Sequence, residues 1–185
     1  MWVLKIILLT QKKHNPPVCL SACLPSQPSP IFISNSGDCG QPLLNDWLQL
    51  KAYENEQKGA SRTYVVCNDN KVVAYYCLAT GSITRNIAHG SVRRNMPEPI
   101  PVMVLGRLGI DINHQGSGIG FGLVKDAVLR TLQASEIAGI RAILVHALDE
   151  SAKQFYQNKC GFKVSPVNPL TLMVTLSDVQ KKLNL

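Results

Sequence analysis

A chain of 185 residues with 45% hydrophobic and 17% charged side chains carries enough apolar content for one domain with its own core, which excludes a disordered or fibrous protein. Nineteen Lys and Arg against twelve Asp and Glu leave a formal charge of +7, which favours an anionic partner: nucleic acid, a phosphorylated cofactor or an acidic protein. The six cysteines lack the paired Cys/His spacing of a zinc site, and Cys67 and Cys77 fall in apolar runs where cysteine serves as a small hydrophobe; no metal is expected, and a reducing, cytoplasmic setting is.

Residues 1–37 read unlike the rest. MWVLKIILLT has the look of a short signal-peptide core, but QKKHNPP places charges and prolines where an apolar run must continue, so neither a signal nor a membrane span is expected. Proline, serine and cysteine then dominate to Gly37 without any helical period. The segment is either a natural extension, ordered or not, or the product of a changed reading frame, with the regular domain occupying 38–185.

From Asp38 the pattern becomes regular. Asp38 is a candidate cap for a helix whose apolar stripe is Leu43, Leu44, Trp47, Leu48 and Leu50. SRTYVVC and KVVAYYCLATGSI are rich in β-branched and aromatic residues, and Asn68-Asp69-Asn70 between them signals a hairpin. HGSVRRNMPEPIPV reads as a loop by its prolines, and PVMVLGRLGID as a buried strand. A helix follows from Gly118 to about Ala138, with Ile119, Leu123, Val124, Ala127, Val128 and Leu132 on one side. RAILVHAL is a further strand, and Asp149 is the N-cap candidate for SAKQFYQNKCGF, which Gly161 ends. LTLMVTL is the last strand and SDVQKKLNL a tail. The order implies an α/β or α+β sheet with helices on its faces.

The chemistry concentrates at HQGSGIG. A strand entering a glycine-rich turn and then a helix presents unpaired N–H groups at the positive end of the helix dipole, which is an anion site. Taken alone, the cluster of Gly116, Gly118 and Gly120 is equally a tight turn. The glycines alternate out of register with a dinucleotide fingerprint, and Phe121 stands where a Walker loop needs lysine. The remaining pattern, Gln115-Gly116-Ser117-Gly118-Ile119-Gly120, resembles the coenzyme A pyrophosphate loop of the GNAT family of N-acetyltransferases. Ala152, Phe155, Tyr156, Gly161 and Phe162 resemble that family's late motif, with one extra residue between Tyr156 and Gly161. The likeness extends to one branch, the acetyltransferase toxins of bacterial toxin–antitoxin pairs that act on aminoacyl-tRNA, through Asp38-Cys39-Gly40, Leu44 to Leu48, Gly59 to Val66, Arg93 to Pro97, Leu105 to Leu108 and Val145 to Asp149.

The resemblance implies a mixed, mostly antiparallel central sheet with helices on both faces. It implies acetyl-CoA as cosubstrate and no metal. It also implies transfer of the acetyl group to the α-amine of aminoacyl-tRNA, an amine that titrates near 7.7–8.0 and so needs little help from a base. Main-chain N–H groups of Leu108, Gly109 and Ile110 would polarise the thioester carbonyl, residues 115–120 would hold the pyrophosphate, and Tyr156 would protonate the leaving thiolate. Arg93 and Arg94 are the candidates for the RNA backbone, with Arg62, Lys51 and Lys58 as helpers, although a basic loop is as often merely solvated. His146 is expected to be buried or beside the coenzyme, without assigned chemistry. The branch further implies a ribbon-helix-helix antitoxin, operator DNA bound with it, and a homodimer. Transfer to a protein or small-molecule amine, and a catalytically impaired binding protein on the same fold, are the alternatives the sequence leaves open.

Overall fold

The computed structural model describes residues 36–68 and 71–183. The expectations for the N-terminal segment, and for Asp69-Asn70 at the hairpin turn, therefore lie outside the described residues but for Ser36 and Gly37.

Helix α1 (Pro42–Asp46) runs without a break through a π turn (Trp47–Lys51) into α2 (Ala52–Gln57). The apolar stripe is narrower than expected: Leu48 and Ala52 are buried, whereas Leu43 and Leu50 are 74% and 69% exposed. Those two leucines lie seven residues apart on the outer edge, beyond the width one packed helix face covers. Asp38 does not cap the helix, because Gln41 occupies the cap position. Asp38 instead accepts hydrogen bonds from the Gly40 amide and Asn45 Nδ2, both at 2.7 Å.

Strands β1 (Arg62–Asn68) and β2 (Lys71–Ile83) pair antiparallel, with Asn68 opposite Lys71 as the hairpin signal implied. The proline-rich loop holds one short helix, α3 (Gly90–Arg93), before β3 (Ile100–Ile110). Then come α4 (Ile119–Ser135), β4 (Ala142–His146), α5 (Glu150–Gln154), β5 (Lys163–Val164), β6 (Thr171–Thr175) and α6 (Leu176–Leu183). The sequence reading contained neither β5 nor α6. The expected tail is helical because Thr175 Oγ1 accepts from the Asp178 amide at 3.1 Å, a side-chain cap, and because Leu176 and Val179 pack on the core.

The six strands are ordered β1-β2-β3-β4-β6-β5, and every neighbouring pair is antiparallel except β3 with β4. The expected fold class is the observed one. Because side chains alternate across a sheet, each strand feeds two layers. Met103, Leu105, Leu108 and Ile110 of β3 face the main core, where α4 contributes Leu123, Val124, Ala127 and Val128, and Tyr156 and Phe162 lie beside them. Val102 and Val104 face the opposite side, packing with Ala88 and Val92 of the α3 region. On that same side, Leu48 and Ala52 cover Val72 and Tyr75. Helices therefore lie on both faces, and the second face is shared between α1–α2 over one half and α3 over the other.

Candidate active site

The site begins with a split in the sheet. Strands β3 and β4 are paired only from Val102–Ala142 to Leu105–Val145. Past Leu105 the β2–β3 register shifts, since Cys77 pairs with Arg107 while Leu78 pairs with Leu105, which leaves Gly106 as a bulge. A bulge bends its strand, and here β3 leaves β4 while staying on β2. The Asp111 amide donates to Val73 O at 2.8 Å, so by antiparallel alternation the amides of Arg107 and Gly109 also face β2. Those of Leu108 and Ile110 point into the split. Of the expected trio, Gly109 thus has its donor committed to the sheet, and Leu108 and Ile110 do not.

The glycine loop closes the top of the split. Asp111 caps a short 3-10 turn, Ile112–His114, and residues 115–118 lead into α4. Gln115 Nε2 donates to Ile110 O at 3.0 Å and to Cys39 O at 3.2 Å, so this side chain fastens the loop to β3 and to the N-terminal segment. Ser117 Oγ likewise turns inward, donating to His114 O. Gly118 is the N-cap residue of α4 with φ +88°, and no side chain caps the helix. The first intrahelical bond is Gly122 N to Gly118 O, at 3.2 Å, which leaves the amides of Ile119, Gly120 and Phe121 without helical partners at the positive end of a 17-residue helix. A Cβ on Gly118 would meet no protein atom within 4 Å, whereas one on Gly120 would lie 3.1 Å from Ile110 Cδ1 and 3.4 Å from Phe155 Cζ. Gly120 lets α4 approach β3 and the Tyr156 segment, and Gly118 keeps an open cradle.

Tyr156 lies on the same side as α4, 6% exposed, edge-on to Phe155 at 5.2 Å and tilted against Phe162 at 5.8 Å. A π turn, Phe155–Lys159, lies where the extra residue before Gly161 falls. The Tyr156 carbonyl accepts from the Phe162 amide at 3.1 Å, closing the widened end. Asp149 caps the preceding helix as expected, accepting from the Ala152 amide at 2.8 Å. Among the described residues the Tyr156 hydroxyl has no hydrogen-bond partner. Burial first, and Cys160 second, push its pKa well above the ordinary phenol value, making it a weaker acid. The Cys160 thiol is pushed up to about 12 by burial alone, so phenol and thiol rise together in this environment.

Of the two alternatives for His146, burial is overturned, and Arg107 adds a position that the sequence expectation did not contain. His146 is exposed, on the α3 side of the sheet, with its Nδ1 sharing a 2.9 Å hydrogen bond with Thr171 Oγ1. Arg107, not singled out beforehand, is exposed on the same side, its guanidinium 6.0 Å from the Trp47 ring, which stacks on Tyr75 at 5.9 Å. The signal was present as the alternation of β3, but Gly106 inverts it.

Arg93 and Arg94 are both exposed, and neither has an ion-pair partner among the described residues. They lie on the side of the sheet that carries Arg107 and His146. Arg141, at the start of β4, ties their helix down by donating to Val92 O at 3.1 Å and Ser91 O at 2.7 Å. The expected helpers are otherwise engaged: Arg62 with Glu56 at 2.9 Å, and Lys58 and Lys51 with Glu54 at 2.6 and 3.6 Å.

The model of the acetyltransferase (GNAT) family matches residues 29–162. The chain belongs to that family. This acetyltransferase is 46% identical over 157 residues to the tRNA-acetylating toxin of Mycobacterium tuberculosis, a match spanning 82% of the chain and 94% of the relative. Its fold matches that of AtaT complexed with acetyl-methionyl-tRNAfMet (TM-score 0.73, 29% identity, 80% and 89% of the two chains). AtaTR bound with acetyl-CoA matches with TM-score 0.73 and 27% identity over 85% and 94% of the chains. The KacTA–DNA complex matches with TM-score 0.66 and 27% identity over 80% and 88%. No helix among the described residues is long and apolar enough to cross a membrane.

Proposed function

We propose that this acetyltransferase is a toxin that transfers the acetyl group of acetyl-CoA to the α-amine of aminoacyl-tRNA and thereby arrests translation. The observation that carries the reading is the near full-length likeness to a tRNA-acetylating toxin, 46% identical over 94% of that relative. The residues present fit the cosubstrate, because the open edge of β3 ends at a glycine cradle whose helix amides lack partners. Acetyl-CoA supplies an activated acetyl thioester. The amides of Ile119 and Gly120, with residues 115–118 shaping the approach, hold the pyrophosphate. The Leu108 and Ile110 amides, turned into the split, stabilise the negative charge that develops on the acyl oxygen. Tyr156, fully protonated at neutral pH, gives its proton to the departing sulfur.

The acceptor amine reaches the split from the side bearing Arg107 and His146. Ala142 and His146 are four strand steps apart, about 13 Å, so phosphates held by Arg93 and Arg94, whose helix is tied to Arg141 beside Ala142, lie on the approach to the split. The chain's partners are then charged tRNA, a ribbon-helix-helix antitoxin with operator DNA, and a second copy of itself, in the cytoplasm. The catalytic domain takes in residues 38–185, and Ser36 and Gly37 just ahead of it lie against Val72 of β2.

The direct test is mass spectrometry of total aminoacyl-tRNA incubated with acetyl-CoA and the protein, where acetylated aminoacyl adenosine is the expected product and its absence refutes the reading. Two further outcomes follow. Gly118→Val forces a β-branched residue into a left-handed conformation, costing about 1–2 kcal/mol of stability, and puts methyls into the cradle. Calorimetry should show acetyl-CoA affinity reduced by about 10- to 100-fold. The double variant Arg93→Ala/Arg94→Ala should raise KM for charged tRNA and flatten its dependence on log salt by about 1–2, with acetyl-CoA affinity unchanged.

A further inference from the structure

We infer that His146 is a catalytic residue that takes the proton from the attacking amine. The inference rests on the acetyl-transfer reading above and adds to it a base that the sequence did not supply. Residues 142–145 of β4 are buried, and His146 is the first exposed residue of the strand. It is also the first residue past the last β3–β4 pair, Leu105 with Val145, so its ring stands where the sheet opens. Its direction follows from alternation. Val145 faces the main core with Tyr156 while Leu144 faces the α3 layer, so His146 faces the side opposite Tyr156.

The imidazole is held in place. Thr171, its cross-strand partner on β6, is 2% exposed, and its Oγ1 engages His146 Nδ1 at 2.9 Å. In the tautomer whose Nδ1–H donates to Thr171 Oγ1, Nε2 carries the lone pair that accepts a proton, as suits a base oriented by a neighbouring group. The surroundings leave few competitors. Strand β3 carries no carboxylate from Ile100 to Ile110, and its charged residue beyond the pairing limit is Arg107. Strand β6 offers Thr171 and Leu172, and residues 165–170 bear no charge. The first turn of α5 carries Asp149 and Glu150, of which Asp149 caps the helix and Glu150 pairs with Lys153 at 3.1 Å. Arg93 and Arg94 of the α3 region lie towards the other end of β4.

Base and acid are therefore on opposite sides of one split. As the C–N bond forms, the proton leaves the acceptor nitrogen for His146 Nε2, directly or through one water. As the C–S bond breaks, the Tyr156 proton goes to sulfur. Solvent then takes the proton from the imidazolium and returns one to the tyrosinate, and no further reactant is required.

The experiment compares the full chain with His146→Gln, whose amide can keep a bond to Thr171, using total charged tRNA as acceptor. The expected result is kcat/KM lower by roughly 100-fold, with the drop in kcat rather than in KM. Melting temperature and calorimetric acetyl-CoA affinity stay unchanged. A variant within two- to threefold of wild type overturns the inference. So does a variant that loses thermal stability or acetyl-CoA affinity along with its activity, which assigns His146 to the scaffold. A wild-type protein that acetylates no charged tRNA overturns the transfer reading itself, and this inference with it.

Discussion

Tyr156→Phe should lose about 10²- to 10⁴-fold in kcat, the range for removing a positioned general acid, while folding and binding acetyl-CoA like the wild type. The separation of effects follows from the packing. The ring is what contacts Phe155 and Phe162, and phenylalanine keeps it. The hydroxyl has no partner among the described residues, so its removal breaks no hydrogen bond and opens no cavity. Tyr156→Ala is a different experiment, because emptying a buried aromatic site costs about 3–5 kcal/mol and conflates chemistry with stability. The acidity of Tyr156 bears on the same result. Burial lowers it by raising the phenol pKa, and pushes the nearby Cys160 thiol up to about 12, so a sulfur anion released into this environment is itself a strong base. The phenol therefore remains a competent donor despite being a weak acid in water. Turnover by the phenylalanine protein at the wild-type rate, measured by acetyl-CoA consumption with charged tRNA, would remove Tyr156 from the mechanism.

The strands were legible because their chemistry is local. TYVVC and AILVHAL are β-branched runs bounded by turn residues, and both form where the pattern put them. The glycine loop was legible because its conformation demands glycine: Gly116 and Gly118 have φ of +74° and +88°. What the sequence hid depends on pairing between distant segments. The alternation of β3 reads as continuous through Leu105-Gly106-Arg107, yet the bulge at Gly106 is set by its register with Cys77 and Leu78, far earlier in the chain. That single shift turns Arg107 outward and opens the strand edge. His146 reads as either buried or beside the coenzyme, because the apolar run AILV precedes it. Its exposure comes from the end of pairing with β3, which no window of β4 contains. The exposed leucines of the first helix have the same origin. Spacing defines a stripe, but the width of sheet available to cover it is a property of β1 and β2.

Asp111 should account for the other large effect, on stability and on the loop together. Three segments meet at its carboxylate. It accepts from the Asn113 amide at 2.8 Å, from Asn113 Nδ2 at 3.0 Å and from Lys71 Nζ at 3.2 Å, with His114 Nδ1 at 3.5 Å. Around it, Ile112 N donates to Asp38 O and Gly37 N to Val72 O, both at 2.8 Å, so the segment entering the domain is laid against β2 and the end of β3. Burial pushes this carboxyl upward, but the hydrogen bonds from Asn113 and Lys71, with the His114 ring close by, outweigh it and hold the group at about 2, below its ordinary 3.8. A depressed carboxylate stabilises the folded state above its unfolded value, and that contribution is lost as pH falls from about 3.8 through about 2. Near neutral pH, Asp111→Asn should cost about 1–3 kcal/mol, since charge-assisted bonds weaken while the shape is kept. Denaturant melts at descending pH should show the gap between the two proteins closing across that window. A gap that stays constant would mean that the charge contributes nothing. Because Gln115 hangs from Ile110 O and Cys39 O on either side of this junction, loosening Asp111 also frees the glycine loop from its two anchors. Asp111→Asn should therefore weaken acetyl-CoA binding where Tyr156→Phe does not, and equal affinity in both would leave Gln115 as sufficient support for the loop.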